Sequence, residues 1–129
     1  MPGGIILIID DDEKARKLCR VILERTGYTV LEAPEALEGI RLAEKKKVDL
    51  IFLDIQLPEI DGRAVARLLK AYAPTKNIPI IAVTALAMPG DREEVLATGV
   101  EGYLPKPVRV KELRQMVRYF LEEGKQSEA

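Results

Sequence analysis

An α/β domain, with a five-stranded parallel sheet doubly wound by five helices, is the fold class this sequence predicts. Three observations carry it. Ile5-Ile6-Leu7-Ile8-Ile9 and Leu50-Ile51-Phe52-Leu53 are short, wholly apolar runs without the alternation of a half-exposed strand, so each reads as covered on both faces. Between such runs, apolar residues recur every three or four positions, the helical period. Strands and helices then alternate along the chain, which implies parallel strands joined by right-handed crossovers.

Composition narrows the chemistry. The 129 residues fit one domain, large enough to bury roughly two-thirds of the unfolded surface. Twenty basic against twenty-one acidic residues leave a net charge of -1 with no basic stripe, so neither nucleic acid nor an anionic membrane is expected as a partner. No apolar run approaches the roughly 20 residues of a membrane span, and the start lacks the basic residues of a signal peptide, so a cytoplasmic location is expected. Cys19 is the sole cysteine, which excludes an internal disulfide, and its register with Ala15, Leu18 and Ile22 assigns it to a helix core. Histidine is absent, so a Ser-His-Asp triad, a histidine metal ligand and a phosphohistidine carrier are all excluded.

The elements follow in order. The Ile5 to Ile9 strand runs into Asp10-Asp11-Asp12-Glu13 and a helix from about Glu13 to Thr26, stopped at Gly27, with its stripe on Ala15, Leu18, Cys19 and Ile22. Thr29-Val30-Leu31 is a short second strand. Pro34 suits the first turn of a second helix, which buries Leu37, Ile40 and Ala43 and ends in the solvated Lys45-Lys46-Lys47. The third strand ends on Asp54, and a turn-rich loop from Ile55 to Gly62 leads to a third helix on Val65, Leu68, Leu69 and Tyr72. Ile78 to Thr84 is the fourth strand, with Pro79 tolerated at its entry. A fourth helix from about Asp91 to Ala97 has only Val95 and Leu96 as anchors and is expected to be the least firmly held. Glu101 to Pro105 is the fifth strand, and Leu113, Met116, Val117 and Phe120 stripe the last helix before a polar tail at Gly124 to Ala129.

Five strands suit the flavodoxin-like order 2-1-3-4-5, which sets the carboxyl ends of the first and third strands side by side at the topological switch point, where ligands bind. Asp10, Asp11 and Asp54 therefore converge. At about 4 Å and an effective dielectric near 20, each carboxylate pair costs on the order of 4 kcal/mol, so a cation is expected among them. Oxygen ligands alone select a hard ion, and Mg²⁺ characteristically binds a few carboxylates while keeping waters and phosphate oxygens. Acids before a helix also serve as caps; one suffices, and that task falls to Asp12. Thr84 and Lys106 reach the same edge of the sheet. A hydroxyl and an ammonium beside a carboxylate and a divalent ion form a phosphoryl-binding constellation, with Pro107 holding Lys106 through a cis peptide.

Asp10-Asp11 after the first strand, Asp54 after the third with Pro58 and Asp61-Gly62 behind it, Thr84-Ala85 after the fourth and Lys106-Pro107 after the fifth together resemble the receiver domain of bacterial two-component response regulators. The likeness is to the single-domain, chemotaxis-regulator-like kind and covers about residues 4 to 122 of a single domain spanning 1–129. It implies that Asp54 accepts a phosphoryl group from the phosphohistidine of a histidine kinase or histidine phosphotransfer protein. It further implies Mg²⁺, or Mn²⁺ in its place, held by Asp11 directly, Asp10 through water, Asp54 and the backbone carbonyl of Gln56. Lys106 would pair with the phosphoryl group, Thr84 would donate to it, and Tyr103 would swing inward behind the threonine. The surface of helix four, strand five and helix five would then engage a downstream protein. Such a domain phosphorylates and dephosphorylates itself without being a conventional enzyme, and acts as a monomer or weak dimer, alone or as part of a larger kinase or regulator. Leu57 stands where methionine is frequent in that family, and the resemblance implies that Gln56 and Leu86 occupy positions that tune dephosphorylation.

Three other classes fit less well. An aspartyl-nucleophile phosphohydrolase needs a second acid two residues after the nucleophile, where this chain has Gln56. A flavin binder needs a phosphate loop after the first strand, where four acids would repel it. A phosphate-independent interaction module would have no need of intact Asp54, Asp11, Thr84 and Lys106.

Overall fold

The computed structural model describes residues 3–85 and 88–123. Leu86 and the 124–129 tail lie outside the described residues. In chain order the elements are β1 (Ile5–Ile9), α1 (Glu13–Arg25), β2 (Thr29–Ala33), α2 (Ala36–Lys45), β3 (Leu50–Asp54), α3 (Gly62–Ala71), β4 (Ile80–Thr84), α4 (Asp91–Leu96), β5 (Gly102–Pro105) and α5 (Val110–Arg118). A π-helical turn, Tyr119–Glu123, prolongs α5. The strands form one parallel sheet in the order β2-β1-β3-β4-β5.

Alternation within the apolar runs explains the layers. Leu7, Ile9, Ile51 and Leu53 face Ala36, Ala43, Val65, Ala66, Leu69 and Val95, so α2, α3 and α4 cover one side. Ile6, Ile8, Leu50 and Phe52 face the other side, where Leu23 of α1 and Leu113 and Val117 of α5 close the second core. Every residue of β3 is buried, as expected of a central strand with helices on both faces. Register pairs Ile9 with Leu53, Asp54 with Val83 and Thr84 with Pro105, which aligns the carboxyl ends of four strands along one edge.

The helical faces depart from the sequence reading on α1, α2 and α3. On α1, Leu18 is 55% exposed, and Leu23 takes the buried place. On α2, Leu37 is 58% exposed while Ala36, Gly39 and Ala43 are buried. A Cβ at Gly39 would come within 2.5 Å of Ile9 Cδ1, so the absence of a side chain lets α2 lie close to the sheet. On α3, Ala66 is buried, whereas Leu68 and Tyr72 are exposed and the Tyr72 hydroxyl donates to Glu44 Oε1 at 2.7 Å. On α2 and α3 small residues, Gly39 and Ala66, are among those facing the strands, because close packing rewards a short axis-to-sheet distance, whereas on α1 one leucine replaces another.

The other element boundaries shift only slightly at the ends, although Pro34 precedes α2, whose N-cap is Glu35, and does not enter its first turn. Asp12 is the N-cap of α1 and accepts from the N–H groups of Lys14 and Ala15. β2 extends two residues beyond Leu31, β4 begins at Ile80 after Pro79, and Gly27 takes a left-handed φ of 97° after α1. The six-residue α4 buries Val95 alone. Leu121 joins the core through the π-helical turn, and the hydroxyl of buried Tyr28 donates to Glu122 Oε2 at 2.5 Å, tying that turn to the start of β2.

Candidate functional site

Because β1 and β3 are neighbours, the residues after each strand meet at the sheet edge. Carboxylate oxygens of Asp10, Asp11 and Asp54 lie within 4.8 Å of one another, Asp10 and Asp54 buried and Asp11 exposed. Such an oxygen-only cluster is the donor set of a hard divalent cation, and Asp11 is the member open to solvent. Asp10 Oδ1 accepts from the N–H of Asp12 at 2.9 Å, and the Asp10 carbonyl accepts from Arg16 Nη1 at 2.6 Å. Arg16 is itself held by Glu32 at 3.2 Å, so α1 and β2 jointly fix the acidic turn.

Asp54 is 2% exposed. Its Oδ1 accepts from the N–H of Gln56 at 2.9 Å, and its Oδ2 accepts from Lys106 Nζ at 3.1 Å. The same ammonium stands 3.4 Å from Asp10 Oδ2. Lys106 is placed by its N–H, which donates to the carbonyl of Thr84 at 2.9 Å, and the Lys106-Pro107 peptide is cis as the sequence suggested. Burial raises the pKa of Asp10, the hydrogen bond from Asp12 opposes that rise, and the neighbouring charge of Asp54 adds to it. For Lys106 burial works against the charge, yet the hydrogen bond to Asp54 and the field of Asp10 outweigh it and raise the pKa.

The loop after Asp54 folds back on itself. Gln56 bridges to Asp61, Asp61 caps α3 through the N–H of Arg63, and the N–H of Gly62 donates to the Ile55 carbonyl at 2.9 Å. A Cβ at Gly62 would lie 2.4 Å from Ile55 Cα and 2.8 Å from the Asp54 carbonyl oxygen. Only glycine permits this approach, which gives Asp61-Gly62 a physical reason. The Arg63 guanidinium beside Asp61 holds that carboxyl below its usual range and also reaches Glu94 of α4 at 2.6 Å.

Thr84 is fully buried at the end of β4. Tyr103 lies on β5 opposite Ala82, half-buried, with the guanidinium of Arg92 from α4 5.7 Å from its ring centroid. Beside the acids, between α1 and the start of α5, a cavity of about 440 Å³ is walled by Ala15, Leu18, Cys19, Phe52 and Val108. Burial, followed by the charge of Asp10, pushes the Cys19 thiol up to about 11, in keeping with a packing role.

Asp10, Asp11, Asp54 and Lys106 thus come together as the sequence predicts, while Thr84 and Tyr103 sit on the adjoining strands. The sequence reading placed Gln56 among positions that tune dephosphorylation but missed its contacts, in which Oε1 accepts from the Ala85 N–H at 3.1 Å and the Thr84 hydroxyl at 3.4 Å, and it missed Arg16 and Arg92. Only the place of Gln56, two residues beyond Asp54, marked it.

Comparison with known proteins agrees with this geometry. The family described as the response regulator receiver domain matches residues 6–118. The polar-differentiation response regulator DivK of Brucella anthropi is 39% identical over 121 residues, covering 94% of this chain and 98% of the relative. A CheY-like receiver domain protein from Methanospirillum hungatei has a TM-score of 0.85 at 31% identity, over 96% of this chain and 98% of that one. The receiver domain of a Pseudomonas aeruginosa sensor histidine kinase, solved with a magnesium ion coordinated in its active site cleft, has a TM-score of 0.83 at 33% identity, over 92% of this chain and 97% of that one. Among the described residues no helix is long and apolar enough to cross a membrane. Fold, acidic edge and relatives lead to one conclusion: this chain belongs to the response regulator receiver domain family of two-component signalling.

Proposed function

We propose that Asp54 is the phosphoacceptor and that the acids beside it hold Mg²⁺. The observation that carries this reading is the burial of Asp54 at the end of β3, with Lys106 Nζ 3.1 Å from Oδ2 and Asp10 and Asp11 in the same cluster. A carboxylate oxygen of Asp54 attacks phosphorus, the bond from phosphorus to a partner's imidazole nitrogen breaks, and the imidazole leaves with that electron pair. Asp10, Asp11, Asp54 and the carbonyl of Gln56 would hold Mg²⁺, for which Mn²⁺ could substitute; when bound, the ion neutralises charge on the acceptor and the transferring group. Lys106 contributes a fixed positive charge to the phosphoryl oxygens, and Thr84 a hydroxyl donor. The donor is a histidine kinase or histidine phosphotransfer protein, and the readout surface is α4, β5 and α5, which a downstream protein engages.

The acyl phosphate adds nearly two negative charges to a buried edge. Tyr103 and Thr84 are the residues through which that charge reaches the surface, and α4, held by Val95, the Arg63–Glu94 ion pair and the Arg92–Tyr103 contact, is the element that shifts. With Mg²⁺ and acetyl phosphate, intact mass spectrometry is expected to show one added phosphoryl group, lost on chelation of the metal and in Asp54→Asn. Equal labelling of Asp54→Asn would refute the assignment.

A further inference from the structure

The side chain of Gln56 has a task in the unphosphorylated protein, and the inference rests on the reading of Asp54 as phosphoacceptor. Gln56 spans the site. Its backbone N–H donates to Asp54 Oδ1 at 2.9 Å. Its Oε1 sits at the head of the neighbouring strand, where the Ala85 N–H and the Thr84 hydroxyl both donate to it, at 3.1 and 3.4 Å. Two donors from consecutive residues thus converge on a single oxygen carried by the loop that also carries the acceptor. A phosphoryl group on Asp54 presents oxygens to the same edge of the sheet, and these need donors of this kind, one N–H and one O–H.

The two acceptors are unequal. Oε1 is the oxygen of a neutral carboxamide on an exposed side chain, free to rotate away into water at little cost. A phosphoryl oxygen is anionic and forms hydrogen bonds roughly twice as strong as neutral ones. Exchange of one for the other is therefore downhill once the phosphoryl group is present. Before then, the carboxamide keeps the Ala85 N–H, and shares in the Thr84 hydroxyl, in a bonded arrangement that phosphorylation must first undo.

We propose that Gln56 Oε1 is an internal stand-in for a phosphoryl oxygen. It holds Thr84 and Ala85 in the resting protein and is displaced from them on phosphorylation. Gln56 is thereby a positioning residue that sets how readily the switch is thrown, a role separate from that of its backbone carbonyl, which any substitution retains.

Beryllium fluoride, a phosphoryl mimic, supplies the test, read by NMR on the full chain with Mg²⁺ present. In Gln56→Ala, and in Gln56→Asn, whose shorter amide cannot reach Ala85, the mimic is expected to bind roughly threefold tighter or more, the scale of one neutral hydrogen bond. Without the mimic, the Ala85 amide proton is expected to exchange faster in both variants than in the wild type. Unchanged or weaker binding in both variants, in chains whose spectra show the native fold, overturns the proposal; weaker binding would mean that Gln56 preorganises the donors. Should wild-type protein fail to bind the mimic at all, the phosphoacceptor reading falls by itself. Exchange at Ala85 then still decides whether the carboxamide holds the loop, and unaltered exchange in Gln56→Ala overturns that.

Discussion

Lys106 Nζ lies 3.1 Å from Asp54 Oδ2, a contact between residues 52 positions apart that places a half-buried ammonium against a nearly inaccessible carboxylate. The same ammonium is 3.4 Å from Asp10, so a single cation offsets two buried acids. Removing it leaves both uncompensated.

Lys106→Ala is therefore expected to lose stability in the absence of divalent metal. The loss should be about 1–3 kcal/mol, below that of a fully buried pair because the lysine is partly solvated. Urea unfolding with a chelator present measures it. Added Mg²⁺ should recover much of the deficit, since a divalent ion among the carboxylates restores positive charge. In the same variant, phosphorylation from acetyl phosphate is expected to slow by at least about tenfold.

Gly62 tests the loop that carries Asp54. A methyl group there meets the backbone of Ile55 at 2.4 Å, and backbone cannot yield as a flexible side chain can. Gly62→Ala is expected to cost about 1–3 kcal/mol in chemical denaturation, the usual range for forced overpacking. Because the same methyl presses on the Asp54 carbonyl, acetyl phosphate labelling should also fall. At Gly90 no atom of the described residues lies within 4 Å of such a Cβ, yet its left-handed φ of 92° strains any side chain, so Gly90→Ala should cost stability through the backbone while leaving labelling near wild type.

Tyr28 provides a pH dependence remote from the acids. Burial, then the hydrogen bond and the charge of Glu122, push its phenol from the ordinary 10.0 up to about 12. A phenol whose pKa is raised in the folded state binds its proton more tightly there than in the unfolded chain. Its contribution to stability is therefore fully present below pH 10 and is lost as pH rises from 10 through about 12. Thermal unfolding across that window should show a steeper alkaline fall for the wild type than for Tyr28→Phe. At neutral pH the phenylalanine variant should be less stable by about 1 kcal/mol, from the lost hydrogen bond to Glu122.

Much of this was legible in the chain itself, for reasons that differ by element. β1, and β3 up to Leu53, are wholly apolar because a central parallel strand is buried on both faces, and few other local structures demand that pattern. Asp10, Asp11, Asp54, Thr84 and Lys106 end their strands or follow them directly, so once the strands are placed, their convergence at one edge follows from topology alone. Asp12 as a helix cap needed only its position before a helical period.

The helical faces were less legible. Periodicity marked a stripe on α2 containing Leu37, because a large apolar residue weighs more than a glycine in any such pattern. The sheet instead receives Gly39, since Ile9 fills the space that a side chain would need. Leu68 was misread on the same ground beside Ala66, whereas on α1 another leucine, Leu23, takes the buried place expected of Leu18. The contacts of the Gln56 side chain were beyond reach for another reason: its partners Thr84 and Ala85 are about thirty positions away, and a polar side chain in a loop carries no periodic signature of its direction.

The sequence by itself determined the sheet, its strand order and the set of charged residues at its carboxyl edge, because burial on two faces and termination on an acid are local properties. Tertiary structure alone decided which helical residues touch the strands, that a single ammonium serves both Asp54 and Asp10, and that a glutamine oxygen engages the donors of Thr84 and Ala85. Those outcomes depend on distances of a few ångströms between segments far apart in the chain, which close packing sets and no local pattern encodes.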